Sequence, residues 1–306
     1  DLDRERAVIA QEMVRTLSEP LDALLLRLAS EAMTGPYARP SVGTPQDLAS
    51  LKPEVLLATH KRYYAAADLL LVVVGDCKAA LVKEVAAKDF AAVPGGPPPS
   101  ATPSETAWKT RGEPVKIQIR GERSYCMVGF PAPPFKERQD VLAMDVVTAL
   151  LDQGPRGRLD VALSNLGGGP ESDVSFLTTR WPGMVSLGVG VANAQYSQAK
   201  DALLGVVREF LAADIPEAEI AQAKTRLIST YLFDSETFGG QAYSLGFYET
   251  LGDYQFGEGY LKGISAVTAA DIRRVARKYL DLSQAVTLEA QPAPPPPAPD
   301  TGETHV

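Results

Sequence analysis

The sequence predicts an α+β protein of two related domains, each a mainly antiparallel sheet packed with helices, the first one truncated at its N-terminus. Three observations predict it. Long amphipathic stretches alternate with short β-branched runs, two distant segments resemble each other, and a Pro/Gly-rich stretch lies between them. The expected divisions are 1–92, the C-terminal remnant of the first domain; 93–113, a linker; 114–290, the second domain; and 291–306, a proline-rich tail or linker. A chain of 306 residues suits two cores better than one.

The elements follow in order. Asp3 to Leu17 has helical spacing, and Ser18, Glu19 and Pro20 signal a second helix from Leu21 to Met33. Gly35, Pro36 and Pro40 punctuate a loop; Thr44, Pro45 and Asp47 cap a short helix, and Pro53 opens another through Tyr64. Leu69 to Val74 reads as a fully buried strand and Lys78 to Phe90 as a helix. After the linker, Val115–Arg120 and Tyr125–Phe130 read as strands, then Glu137–Leu151 and Arg158–Leu166 as helices. Asp173–Thr179 and Met184–Val191 form a strand pair. Helices follow from Ser197, the expected N-cap, to Ala213, from Pro216 to near Leu232, around Gly252 and Gly257, and from Thr268 to Leu280. Ala285–Ala290 is the last strand. The tail QPAPPPPAPDTGETHV cannot form a core and is expected to be polyproline-like: a terminus, a partner-binding ligand or, the favoured reading, a spacer to a further domain.

The self-similar segments are LKPEVLLATHKRYYAAADLLLVVV from Leu51 and VTAADIRRVARKYLDLSQAVTLEA from Val267, aligned without a gap. Lys61, Arg62 and Tyr63 fall on Arg277, Lys278 and Tyr279, and each copy runs helix, basic pair, tyrosine, strand. The segment from Glu217 then holds the place in the second copy that Asp3 to Leu17 holds in the first. Strands and helices precede Glu217 but almost nothing precedes Asp3, so the first domain is expected to be a remnant whose early strands are lost or supplied in trans.

Composition excludes some partners. A net charge of -8 argues against nucleic acid or an anionic membrane surface, and the longest aliphatic run is far too short for a membrane span. Cys77 and Cys126 have no C-x-x-C spacing, His60 and His305 alone cannot build a histidine-rich metal site, and a triad would need His60, whose place in THKRYY on a helix favours a surface or packing role.

The candidate functional residues lie in DRERAVIAQEMVRTL. On a helix, Leu2, Val8, Ile9 and Met13 gather on one side, and Glu5 and Glu12, two turns apart, point into the apolar sector between Val8 and Ile9. A carboxylate facing a core needs a cation or donors. The plain alternative is a pair of solvated glutamates near a helix N-terminus, where negative charge is favoured.

These stretches together resemble the pitrilysin and insulinase-type zinc peptidases, or inverzincins. RERAVIAQE matches the family's ERxVVxxE helix, GPYARPSVGTPQDLASL its HPYGxPxxGxxxxLxxL segment with Gly35 where histidine is usual, and KRYYAAADLLLVVVGD its Y-x-P-x-N-x-x-L-V-V-x-G-D segment. The resemblance implies that Glu12 is the third zinc ligand and that Glu5 supports the site from behind. It implies that two histidines of an H-x-x-E-H helix complete the site, that the zinc-bound water attacks a peptide carbonyl, and that the glutamate of that helix takes its proton. Peptide substrates and a second two-domain half or partner subunit follow from the same resemblance.

Two departures matter. H-x-x-E-H is absent, so Zn2+ is expected only when that segment is present. The family's substrate-binding arginine and tyrosine, seven apart, are replaced in GPRGRLDVALSNLGGGPE by Ser164 and Glu171. Two other classes remain: a non-catalytic structural or partner subunit of the same fold, and a plain α+β binding module, which predicts fully exposed Glu5 and Glu12. The compartment is not legible, and a bacterial periplasm is compatible with the sequence.

Overall fold

A computed structural model of the chain describes residues 2–96, 106–152 and 157–293. Five helices come first: α1 Leu2–Ser18, α2 Pro20–Ala32, α3 Pro45–Ser50, α4 Pro53–Tyr63 and α5 Ala79–Asp89. The strands are β1 Val115–Ile119, β2 Arg123–Ala132, β3 Glu171–Phe176, β4 Gly183–Ala192 and β5 Val286–Pro292. The later helices are α6 Arg138–Leu151, α7 Arg158–Leu163, α8 Tyr196–Ala212, α9 Glu217–Asp234, α10 Phe238–Leu251, α11 Gln255–Ala266 and α12 Ala269–Tyr279.

The five strands make one sheet in the order β1-β5-β2-β4-β3. All pairs are antiparallel except β1 with β5, so the last strand returns to the sheet beside the first two. Both faces are buried, which is why β2 and β4 read as long apolar runs rather than alternating ones. On one face Cys126, Val128, Phe130, Val185, Leu187 and Val189 meet the helices α6, α8 and α12. The other face, with Tyr125, Met127, Val286, Leu288 and Ala290, is covered by Leu24, Leu28 and Ala32 of α2. The early helix α2 is therefore a layer on the five-stranded sheet. Gly129 and Gly188 let it approach: a Cβ on Gly129 would lie 3.1 Å from Leu28, and one on Gly188 3.3 Å from Leu21.

Local chemistry set most boundaries. Thr44 with Asp47 and Thr268 with Asp271 close reciprocal capping boxes on α3 and α12. Gly252, at φ 130°, ends α10. Ser197 is not a cap: the helix begins at Tyr196, whose ring sinks into the core and draws the first turn forward by a residue.

Three expectations need correction. Leu69–Val74 is not a buried strand; it is extended, without ladder partners among the described residues, and Leu69, Leu70, Leu71 and Val73 are exposed. A strand is buried by neighbours on its edges and faces; here no described residue pairs with an edge, and α10 reaches only one side, where Val72 lies near Gly246. The linker is partly pinned, since Trp108 packs under α2 and donates to Gln284 O at 2.8 Å, while Thr34 N donates to Ala107 O at 2.9 Å. The last strand runs past Ala290, with Gln291 and Pro292 in register with Gln118 and Ile119. The rest of the tail expectation, 294–306, and linker residues 97–105 lie outside the described residues.

Candidate functional site

The buried stripe of α1 is Leu2, Arg6, Ile9, Met13 and Thr16, and it faces α2 and α3. Met13 is the buried residue of this helix, while Val8 is 51% exposed. The apolar sector expected between Val8 and Ile9 is therefore not the covered one. Contact with α2 sets the inward direction, and the hydrophobic pattern alone mislocated it by about a fifth of a turn. Arg6 joins the covered side by donating to Asp3 and to the carbonyl of Leu51.

Glu5 and Glu12 are both exposed. Glu5 meets Arg4 at 3.9 Å, too loose to fix it, and Glu12 makes no ion pair among the described residues. Such exposure was the expectation for a plain binding module. It comes, however, with exposed Val8, Val14 (70%) and Leu17 (51%) on the same helix. Only Val8 shares the side of the two acids, three residues from Glu5 and four from Glu12, while Val14 and Leu17 point elsewhere round the helix. Among the described residues no group of three or more His, Cys, Asp or Glu side chains could hold a metal. Glu12 therefore stands as one carboxylate, and the residues present do not fit a tetrahedral zinc site by themselves. His60, exposed and stacked on Tyr64 at 4.8 Å, has a packing role.

Ser164 and Glu171 do not come together as a recognition pair. Ser164 Oγ donates to Val161 O at the end of α7, and Glu171 opens β3 and meets Arg123 at 3.1 Å. Arg123 also donates to the carbonyls of Gly169 and Gly190, so this group ties the glycine loop to the sheet. Gly154, Pro155 and Arg156 of the matching segment lie outside the described residues.

Sequence reading missed three buried polar clusters. Asp140 on α6 accepts from Arg274 and Lys278, and from Tyr279 at 3.0 Å, on α12. Burial alone would raise its carboxyl, but the hydrogen bonds from Lys278, Arg274 and Tyr279 outweigh it and hold the group at about 2. Because this acid is depressed, its stabilisation is complete above about pH 4 and lost as pH falls through about 2. Asp140→Asn is expected to remove about 2 kcal/mol at pH 7 and little near pH 2, read from urea unfolding at both.

Asp145, one turn further along α6, accepts from Tyr260 at 3.0 Å, and burial pushes it up to about 7. It sits behind a cavity of about 310 Å³ lined by Thr148, Arg226, Tyr231, Tyr248 and Tyr260. The third cluster is Glu289 on β5, bonded to Lys200 beside Cys126 and Tyr196; burial pushes the Cys126 thiol up to about 12, so it is inert. A faint signal existed for the two aspartates, since each interrupts an apolar run in RQDVLAMDVV. Their partners lie more than a hundred residues away.

Comparison with known proteins gives a consistent picture. Residues 50–227 match the family described as peptidase M16 inactive domain. A zinc protease named PqqE from Helicobacter pylori is 22% identical over 295 residues, covering 94% of this chain and 66% of the relative, so the chain spans just under two thirds of that protein. Among solved structures, a protease from Helicobacter pylori aligns with TM-score 0.80 at 20% identity, over 95% of this chain and 72% of the other. A peptidase M16 inactive domain from Pseudomonas fluorescens gives 0.81 at 20%, over 96% and 71%. A chain of the Candida albicans complex III2 structure gives 0.81 at 13%, over 95% and 71%. At these identities the structural likenesses establish the fold.

Proposed function

Because this chain belongs to the peptidase M16 inactive-domain family, we propose that it is part of a zinc-dependent metalloendopeptidase acting on peptides or unfolded polypeptides, and that Glu12 contributes the third zinc ligand. What supports this reading is the match of RERAVIAQE to the family's ERxVVxxE helix, with Glu5 and Glu12 exposed on one side of α1 beside exposed Val8. A companion segment bearing H-x-x-E-H would cover that side and meet Glu12, with Glu5 orienting the ligand from behind. The same reading makes α1–α4 with Leu69–Val74 the first copy of a repeat whose second copy is α9–α12 with β5. It is supported by one constant offset that carries both ends of α4, Pro53 and Tyr63, onto both ends of α12, Ala269 and Tyr279. Among the described residues no helix is long and apolar enough to cross a membrane.

The test is zinc content and cleavage of denatured casein, for the chain alone and for the chain purified with an H-x-x-E-H-bearing companion. The chain alone is expected to hold far less than one equivalent, and the assembly one. Glu12→Gln should strip the assembly of zinc and activity together, and Glu5→Gln should cost about 10- to 100-fold in either. Tight stoichiometric zinc in the chain alone, or an assembly indifferent to Glu12→Gln, defeats the reading.

The second reading is a non-catalytic partner subunit of the same fold. It is favoured by Ser164 and Glu171, which stand apart and serve local structure. It predicts that the assembly forms normally and that both glutamate variants leave every activity unchanged.

A further inference from the structure

In the second copy, α12 is held to α6 by charge as well as by apolar contact. Lys278 Nζ donates to Glu137 at 2.6 Å and to Asp140 at 2.8 Å, and Tyr279 OH donates to the same carboxylates at 2.8 and 3.0 Å. Ile272 and Leu280 are completely buried beside them.

The first copy carries the same equipment with no ion-pair partner among the described residues. The offset that superposes α4 on α12 puts Arg62 at the place of Lys278 and Tyr63 at that of Tyr279. In both copies the cation lies over the ring, at 5.1 Å for Arg62 and 4.9 Å for Lys278. Leu56 and Tyr64, at the places of Ile272 and Leu280, are 41% and 59% exposed. Among the described residues Arg62 forms no ion pair. Leu69–Val74 follows α4 as β5 follows α12, and its backbone edges lack ladder partners among the described residues.

We propose that the α4 face led by Arg62 and Tyr63 is the docking surface for a strand–helix segment of the β2–α6 kind, whose helix opens with two carboxylates three residues apart. The inference rests on the repeat reading above and adds the contact by which the companion is recognised. Charge complementarity selects the occupant: Lys61 and Arg62 repel a basic helix end, and an apolar one leaves the Arg62 guanidinium unanswered. The paired carboxylates match the spacing of Glu137 and Asp140, so the surface is addressed to this helix type and not to apolar segments in general.

The experiment follows fluorescence anisotropy of a labelled peptide copying residues 136–151 of α6, titrated with the full chain. Saturable binding is expected with Kd below about 1 mM. The exposed double variant Arg62→Gln, Tyr63→Phe should weaken it about three- to fivefold, and so should a peptide carrying Glu137→Gln and Asp140→Asn. Combining the two changes should cost little more than either, the signature of a direct pair. Absence of saturation, equal binding by the double variant, or fully additive losses would each overturn the proposal. Zinc takes no part, so a failed metal titration leaves this result standing, and a failed docking leaves the Glu12 titration untouched.

Discussion

Replacing Leu28 by Ala is expected to lower the unfolding free energy by about 2–5 kcal/mol, the range for emptying a fully buried leucine site. Leu28 has no exposed surface and rests on the bare backbone of Gly129. The loss is the transfer energy of the removed atoms plus the cavity left against Met127 and Leu288, which rigid β2 and β5 cannot close. The shape of the unfolding curve also carries information. If α2 is a layer of the sheet, urea unfolding followed by near-ultraviolet signal from Trp108 and Tyr125 shifts its midpoint with an unchanged slope. A shift confined to an early transition that leaves the sheet's unfolding unmoved would place α2 in an independent unit and contradict the packing described above.

Asp145→Asn is expected to stabilise the protein at pH 8 by up to about 4 kcal/mol and to do nothing near pH 4. The folded carboxyl sits at about 7, raised from 3.8 by burial, which the single bond from Tyr260 offsets only in part. Between those two values the folded state holds a proton that the unfolded chain has released, so stability declines as pH climbs from about 4 to 7 and is level above. Three units correspond to about 4 kcal/mol. Asp145 keeps some solvent-accessible surface although protein surrounds its carboxylate, so water relieves part of the cost and the figure is an upper bound. Asparagine keeps an acceptor for Tyr260 and carries no charge to desolvate. Urea midpoints at pH 4 and pH 8 decide the matter. Equal destabilisation at both would mean that the carboxylate is ionised and satisfied in the fold.

Most of the fold from Val115 onward was legible in the sequence, for local reasons. The Thr268 and Asp271 side chains cap α12 wherever that helix packs, and the β2 and β4 runs are apolar on both faces because both faces are buried. The stretches that misled share a different cause. Leu69–Val74 has the composition of a central strand, and composition cannot report whether neighbours are present. The α1 stripe drifted because Val8 and Ile9 are equally apolar, and only contact with α2 determines which turns inward. Asp140 and Asp145 escaped notice because their partners, Lys278 and Tyr260, are more than a hundred residues distant.

The order of the amino acids alone determined the α+β class, the family, and the capping boxes of α3 and α12. These are properties of neighbouring residues, whose spacing fixes backbone hydrogen bonding and amphipathic faces without reference to the rest of the chain. The tertiary structure decided that α2 covers one face of the five-stranded sheet, that Glu5 and Glu12 turn outward on α1, and that Glu137 and Asp140 meet the basic end of α12. Each depends on which surfaces meet, and burial is settled by the whole set of contacts available rather than by the residues being buried.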